Sequence, residues 1–278
     1  MFECKEKVAI CGHRGERVHG IENTIAAMKH VVDLGVDMIE TDVRMSRDGN
    51  LFLMHNKNLA DLTNGSGMVS EHTYEELRSM NAAVHASSSE TFEAPTFEPI
   101  ALLEELLELA KNHPDLMLNI ELKDMPAENE PFAFECADKI ASMLARYGVG
   151  NRTWINSFSG SLVQHIYKTY GNTFHYHAFY PWAIMGTMDM DPRSFCDVAC
   201  LLNWEIDQDG TFDKTRMSVP CSQKWYASLL KDNIMPLTTS FYPDMEDYDK
   251  AVLWGSRIIM ADDPKKMLNH FRSKGLHS

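Results

Sequence analysis

The sequence predicts an α/β fold, a (β/α)8 or TIM barrel with a small insertion after the second strand region. Three observations carry that expectation. Short β-rich runs alternate with longer amphipathic segments. Nearly all the early runs are apolar at their starts and polar at their C-terminal ends. The length, 278 residues with 44% hydrophobic content, suits one large core, since single barrels of this class occupy about 250 residues.

In chain order, VAICG (8–12) reads as a strand, 23–34 as a helix, VDMIETDVRM (36–45) as a strand and LFLMH (51–55) as another. The stretch 56–99, with SGS, SSS and two prolines, is too long for an ordinary connection and is expected to be an insertion or lid beside the barrel mouth. The alternation resumes with a helix near 99–112, LMLNIEL (116–122), a helix near 131–147, TWINSF (153–158) and a helix near 160–169. Strands follow near 174–179, 198–203, 234–239 and 257–261, and a helix starts at Pro264. No linker or repeat period interrupts residues 1–278, so a single domain is expected.

Charge narrows the partners. Lys and Arg number 26 and Asp and Glu 40, a formal charge of −14, without a basic run. That disfavours nucleic acid and stable association with an anionic membrane. A small-molecule anion would need local cations. No apolar run approaches the ~20 residues that span a bilayer, and the N-terminus carries no signal-like apolar stretch. A cytoplasmic location is expected, and a homo-oligomer is compatible with the sequence. The six cysteines lack a zinc-type pairing and read as reduced thiols.

The polar strand ends carry the chemistry: His13 and Arg14, Glu40 with Asp42, His55, and Glu121 with Lys123. Residues two apart on a strand share a face, so Glu40 projects with Asp42 and Glu121 with Lys123. Three carboxylates converging at a barrel mouth repel one another unless a cation lies among them. A hard divalent ion, Mg²⁺ or Ca²⁺, prefers such oxygen donors. It would also offset charge on a phosphate oxygen, with Arg14 and Lys123 as further cations. His13 and His55 are suited to exchange protons near neutral pH, as phosphodiester cleavage requires.

The segment 12–55, GHRGERVHGIENTIAAMKHVVDLGVDMIETDVRMSRDGNLFLMH, resembles the N-terminal signature of the glycerophosphodiester phosphodiesterase family through its HRG, ENT, IE-x-D-V, DG and H elements. NIELK (119–123), SF (157–158) and IIMADDP (258–264) resemble later motifs of the same family. The resemblance is strong over 9–55 and 116–123 and weak over 170–255. It implies a metal-dependent hydrolase that releases an alcohol and sn-glycerol 3-phosphate. Glu40, Asp42 and Glu121 would hold the metal, His13 and His55 would form the acid–base pair, and Arg14 and Lys123 would bind the phosphate. It also implies attack by the substrate glycerol's own 2-hydroxyl, with water then opening a cyclic intermediate.

Several positions depart from the family pattern. Asn56 stands where an Asp usually follows the second histidine, and Ile21 replaces a proline before ENT. LTTSF (237–241) lacks the usual tryptophan, for which Trp204, Phe241 and Tyr242 are candidate replacements. Glu22 and Asn23 are expected to start the first helix and brace its loop, and Asp262 to cap the last helix. His19 reads as a loop residue, and His175 and His177 as structural residues or pocket wall. Two rival readings stay open: a lyase that stops at the cyclic phosphate, as in the sphingomyelinase-D and phosphatidylinositol phospholipase-C relatives, and a catalytically retired, ligand-binding barrel.

Overall fold

The computed structural model describes residues 3–88, 92–202, 204–206, 212–217, 222–239 and 244–278. Its strands are β1 (Ala9–Gly12), β2 (Met38–Met45), β3 (Leu51–Leu53), β4 (Met117–Leu122), β5 (Thr153–Asn156), β6 (His175–Tyr180), β7 (Val198–Leu201), β8 (Trp204–Ile206), β9 (Phe212–Met217), β10 (Met235–Thr238) and β11 (Ile258–Ala261). The helices are α1 (Ile25–Leu34), α2 (Tyr74–Arg78), α3 (Leu103–Lys111), α4 (Pro126–Arg146), α5 (Gly160–Tyr170), α6 (Gln223–Lys231), α7 (Met245–Leu253) and α8 (Pro264–Ser273).

Strands β1, β2, β4, β5, β6, β7, β10 and β11 pair in parallel, and β1 pairs with both β2 and β11, so the sheet closes into the expected eight-stranded barrel. The run 51–55 is not a barrel stave. It forms β3, an antiparallel partner on the outside edge of β2. Strands β8 and β9, unmarked by any strong pattern, make a separate antiparallel ribbon.

Local chemistry sets the element ends. Thr24 caps α1, accepting from the Ala27 N–H at 3.2 Å, and Gly35 ends it at φ 92°. Near the start of α4, Asn129 has non-helical dihedrals and its side chain accepts from the Phe132 N–H. Pro131 therefore begins the regular part of that helix, which is where the sequence places it.

Alternation along β4 assigns its faces. Asn119 and Glu121 sit beside Glu40 and Asp42 of β2, leaving Leu118, Ile120 and Leu122 for the packing against the surrounding helices. All six residues of β4 are buried, so polar and apolar faces are both interior and only the identity of each residue separates them. The described residues of 56–99 hold two single 3-10 turns and α2. They pack on Phe52 and Ile100 through a small cluster of their own, Leu59, Val69 and Leu77. Arg78 fastens this segment to α3 through Glu105 at 2.9 Å. Among the described residues no helix is long and apolar enough to cross a membrane.

Truncating Ile120, which is fully buried, to alanine is expected to cost about 2–5 kcal/mol. Leu253→Ala, at a side chain 81% exposed, should change stability by less than about 0.5 kcal/mol. Urea denaturation measures both, and equal effects would contradict this assignment of the core.

Candidate active site

The HRG turn follows directly from β1. A Cβ on Gly12 would lie 2.5 Å from the Gly15 carbonyl oxygen, and Gly15 takes φ 77°, so both glycines are required by the tightness of the turn. Between them Arg14 adopts φ 55°, and nearby Asn23 takes φ 58°. Such backbone costs roughly 1–3 kcal/mol for a non-glycine residue and persists only where surrounding contacts enforce it. Here the Arg14 N–H donates to Glu40 Oε2 at 2.9 Å, and the Asn23 N–H donates to the Arg14 carbonyl at 2.9 Å.

Glu40, Asp42 and Glu121 each offer a carboxylate oxygen within 4.8 Å of the others, and all three are buried. The register makes this contact inevitable: Asp42 lies beside Glu121 across the β2–β4 pair, and Glu40 is two residues back on the same face. Lys123 Nζ lies 2.7 Å from Glu121 Oε1 and 3.1 Å from Asp42 Oδ1. Arg14 Nε lies 3.2 Å from Asp42 Oδ2.

Burial, reinforced by the charges of Asp42 and Glu121, holds the Glu40 carboxyl well above the usual carboxylate range. Glu121 is likewise raised by burial. Asp42 moves the other way, because Lys123 and Arg14 outweigh its burial. Lys123 is raised despite its burial, by Asp42 and Glu121. Two side-chain cations thus face three carboxylates, and Arg14 is shared with Glu22 at 2.8 Å.

This donor set fits a divalent ion. Asp42 Oδ1 is buried and accepts no hydrogen bond of proper geometry, and neither does Arg14 Nε donate one; both ion pairs to Asp42 are misaligned. A +2 ion bound by oxygen would offset the three carboxylates and meet the Asp42 oxygen that accepts no hydrogen bond.

His13, 6% exposed, lies with Nδ1 2.5 Å from Asp262 Oδ1 and Nε2 3.9 Å from Glu40 Oε2. His55 is reached through Asn56, whose Oδ1 lies 2.7 Å from His55 Nδ1 while its Nδ2 donates to Asp61 at 2.8 Å. Because a carboxylate only accepts, Asp61 fixes the amide orientation, which makes His55 Nδ1 the donor. Burial pushes His55 down to about 4. Its Nε2 is thus a bare lone pair at neutral pH.

The structure brings all seven predicted residues to one mouth and adds partners the sequence did not reveal. Asp262 does not cap the last helix: Asp263 does, accepting from the Lys266 N–H at 2.9 Å, while Asp262 binds His13 and Arg17. Thr24 rather than Glu22 or Asn23 caps α1. Asn23 donates to Asp42 Oδ2 at 2.9 Å and accepts from Thr41, and Glu22 holds Arg14 at 2.8 Å. Buried Arg44 donates to the His55 carbonyl at 2.8 Å and the Lys123 carbonyl at 3.1 Å, tying the segments after β3 and β4 together.

Beneath the carboxylates, Asn119 Oδ1 accepts from Asn156 at 2.8 Å and lies 3.1 Å from Nδ1 of buried His177, which burial pushes down to about 3. His177 is therefore a neutral part of the barrel floor, and His175 pairs with Asp197 at 2.6 Å. Phe158 stacks on Phe179 at 3.9 Å, with Lys123 Nζ 5.8 Å from the Phe158 ring centre. This sets an aromatic pair, from beyond β5 and from β6, beside Lys123. Phe241, Tyr242 and the Trp204 side chain lie outside the described residues.

The profile of the "Glycerophosphoryl diester phosphodiesterase family" matches residues 13–179. A "Glycerophosphodiester phosphodiesterase" of Bacillus altitudinis is 36% identical over 155 residues, which is 55% of this chain and 59% of that protein. The matched stretch thus spans about three fifths of that relative's length. Among solved structures, a putative glycerophosphoryl diester phosphodiesterase from Silicibacter pomeroyi superposes with a TM-score of 0.78 at 22% identity, covering 99% of this chain and 96% of that one. An Oleispira antarctica phosphodiesterase, solved in complex with the product sn-glycerol-3-phosphate, superposes with a TM-score of 0.72 at 17% identity, covering 95% and 96%. These likenesses carry the fold, and the match over 13–179, which contains all seven residues at the mouth, carries the family: the chain belongs to the glycerophosphoryl diester phosphodiesterase family.

Proposed function

We propose that this chain is a metal-dependent phosphodiesterase that adds water across a P–O bond of a glycerophosphodiester, giving an alcohol and sn-glycerol 3-phosphate. The observation that carries the reading is the buried triad of Glu40, Asp42 and Glu121 with two cations and two histidines at the same mouth. The product bound to the Oleispira protein supports the same substrate class. A divalent ion, Mg²⁺ or Ca²⁺, held by the triad would offset charge on a phosphate oxygen and polarise phosphorus.

In this reading Arg14 and Lys123 neutralise the remaining phosphate charge. Lys123, 2.7 Å from Glu121 and 3.1 Å from Asp42, would hold the phosphate from the triad's side of the mouth. His55, with Nε2 unprotonated, takes the proton of the attacking hydroxyl. His13, with Nδ1 held by Asp262, delivers the proton that the departing alkoxide needs, using Nε2. Asn56, with the weak resemblance over 170–255, makes a retired, ligand-binding barrel conceivable. Its hydrogen bond to His55 instead performs the orienting task of the usual Asp, relayed through Asp61. The chain is read as one barrel with 56–99 inserted beside the mouth. There a cavity of about 190 Å³ separates Leu62, Ala82 and His85 from Arg17 and Glu22. A soluble deacylated headgroup and a cytoplasmic setting complete the proposal, in keeping with the acidic surface charge.

His13→Ala and His55→Ala are each expected to lower turnover of a glycerophosphodiester by about 10²–10⁴-fold while Mg²⁺ still binds. Undiminished turnover in either variant would remove that histidine from the mechanism.

Metal binding should depend on pH with a definite sign. Glu40 and Glu121 hold protons above the ordinary carboxylate range, and the ion needs them ionised. Binding therefore releases protons and weakens on acidification, by about tenfold in Kd per pH unit for each proton released. Titration calorimetry between mildly basic and mildly acid pH checks this, and a Kd independent of pH would contradict it.

A further inference from the structure

Arg17 is not among the seven residues predicted for the mouth, yet it bridges the groups that hold two of them. Its Nε donates to Glu22 Oε2 at 2.9 Å, and its Nη1 donates to Oδ1 and Oδ2 of Asp262, each at 3.2 Å. Glu22 binds Arg14 through its other oxygen, Oε1, at 2.8 Å, and Asp262 Oδ1 lies 2.5 Å from His13 Nδ1. The side chains therefore run Arg14, Glu22, Arg17, Asp262, His13, and the peptide bond between His13 and Arg14 closes them into a ring. The main chain repeats one link, since the Arg17 N–H donates to the Asp262 carbonyl at 3.1 Å.

Both carboxylates of the ring accept as anions. Against its burial, Arg14 and Arg17 hold the Glu22 carboxyl below the ordinary carboxylate range, and against its own burial His13 and Arg17 do the same for Asp262. Hydrogen bonds between ions are the strong and directional ones. A guanidinium suits the position of Arg17, because its rigid fork meets two carboxylates in two directions, whereas a lysine ammonium is a single point on a flexible stem. The side chains of Arg17 and Asp262 are 32% and 31% exposed, so their pairing adds little to the stability of the fold. Its effect falls on direction instead: without Arg17, a carboxylate that reaches water is free to turn away from His13.

We propose that Arg17 is a positioning residue for proton delivery: by clamping Asp262 against Glu22 it fixes the direction in which His13 presents Nε2, the atom 3.9 Å from Glu40 Oε2. The inference rests on the proposed role of His13 as the acid. In that step the P–O bond to the departing alcohol breaks, its electron pair stays on the alcohol oxygen, and the proton of Nε2 passes to that oxygen, leaving a neutral imidazole. An alkoxide needs this proton. A nitrophenolate, stable as an anion, leaves without it, so the two leaving groups separate the direction of His13 from every other property of the site.

The test compares the full chain and its Arg17→Met variant, in saturating Mg²⁺, on two diesters of glycerol phosphate that differ in the departing group, one an alkyl alcohol and the other p-nitrophenol. Arg17→Met is expected to lower kcat about 10–100-fold on the alkyl diester and less than about threefold on the nitrophenyl diester, with KM altered alike for both. Arg17→Lys, which keeps the charge without the fork, is expected to behave as Arg17→Met does. Proton NMR gives a readout independent of turnover. The proton between His13 Nδ1 and Asp262, assigned by its absence in His13→Asn, is expected as a downfield signal in wild type that is lost to solvent exchange in Arg17→Met. Equal losses of kcat on the two diesters, or no loss on either, would overturn the role of Arg17. A wild type that turns over neither diester counts against the proposed activity, and the NMR signal then decides for Arg17 alone: its persistence in Arg17→Met overturns the clamp.

Discussion

Glu40, Asp42 and Glu121 are buried within 4.8 Å of one another, and the organisation of the mouth follows from the cost of that arrangement. In a low-dielectric interior three adjacent carboxylates cannot all ionise without nearby cations. Lys123 and Arg14 face these carboxylates, and burial holds Glu40 and Glu121 above the ordinary carboxylate range. Asp42 Oδ1 accepts no hydrogen bond of proper geometry. In the proposed reading a divalent ion meets that oxygen, and Lys123 and Arg14 are the cations that would meet a phosphate.

Such a cluster needs rigid walls, and the chain supplies them by crossing contacts between strand ends. The Arg14 backbone is held in a left-handed conformation by Glu40 and Asn23, so the arginine's position and that of a triad carboxylate are set together. Asn23 in turn orients Asp42, and Arg44 joins the ends of β3 and β4 through the carbonyls of His55 and Lys123. Strain in the first turn is thus repaid by the contacts that define the site, as expected where local backbone rules are broken.

Much of this was legible in the sequence because it follows from periods of two along a strand. Glu40 with Asp42 and Glu121 with Lys123 are same-face pairs whatever the fold, and a parallel barrel brings their strands side by side. The staves and α1, α3, α4, α5 and α8 were readable from apolar runs with clear boundaries. Contacts that depend on closure were not. Asp262 meets His13 across 249 residues of chain, only because β11 lies beside β1. Pro264 at the first helical position makes Asp263, the residue directly before it, the N-cap of α8, which leaves Asp262 for His13. The orienting role of Asn56 was hidden because it is shared with Asp61, five residues on, in a segment without periodicity. The ribbon of β8 and β9 carried no pattern strong enough to mark it.

The central claim is that the triad, filled by a divalent ion, makes this barrel a glycerophosphodiesterase. It is tested most directly by stripping the protein of metal, adding back Mg²⁺ or Ca²⁺, and following release of sn-glycerol 3-phosphate from a panel of glycerophosphodiesters. The account predicts no release from the stripped protein and restored release with one bound equivalent at the triad, abolished by Asp42→Asn. Stoichiometric metal binding at the triad without turnover of any diester would contradict it and leave a ligand-binding barrel in its place.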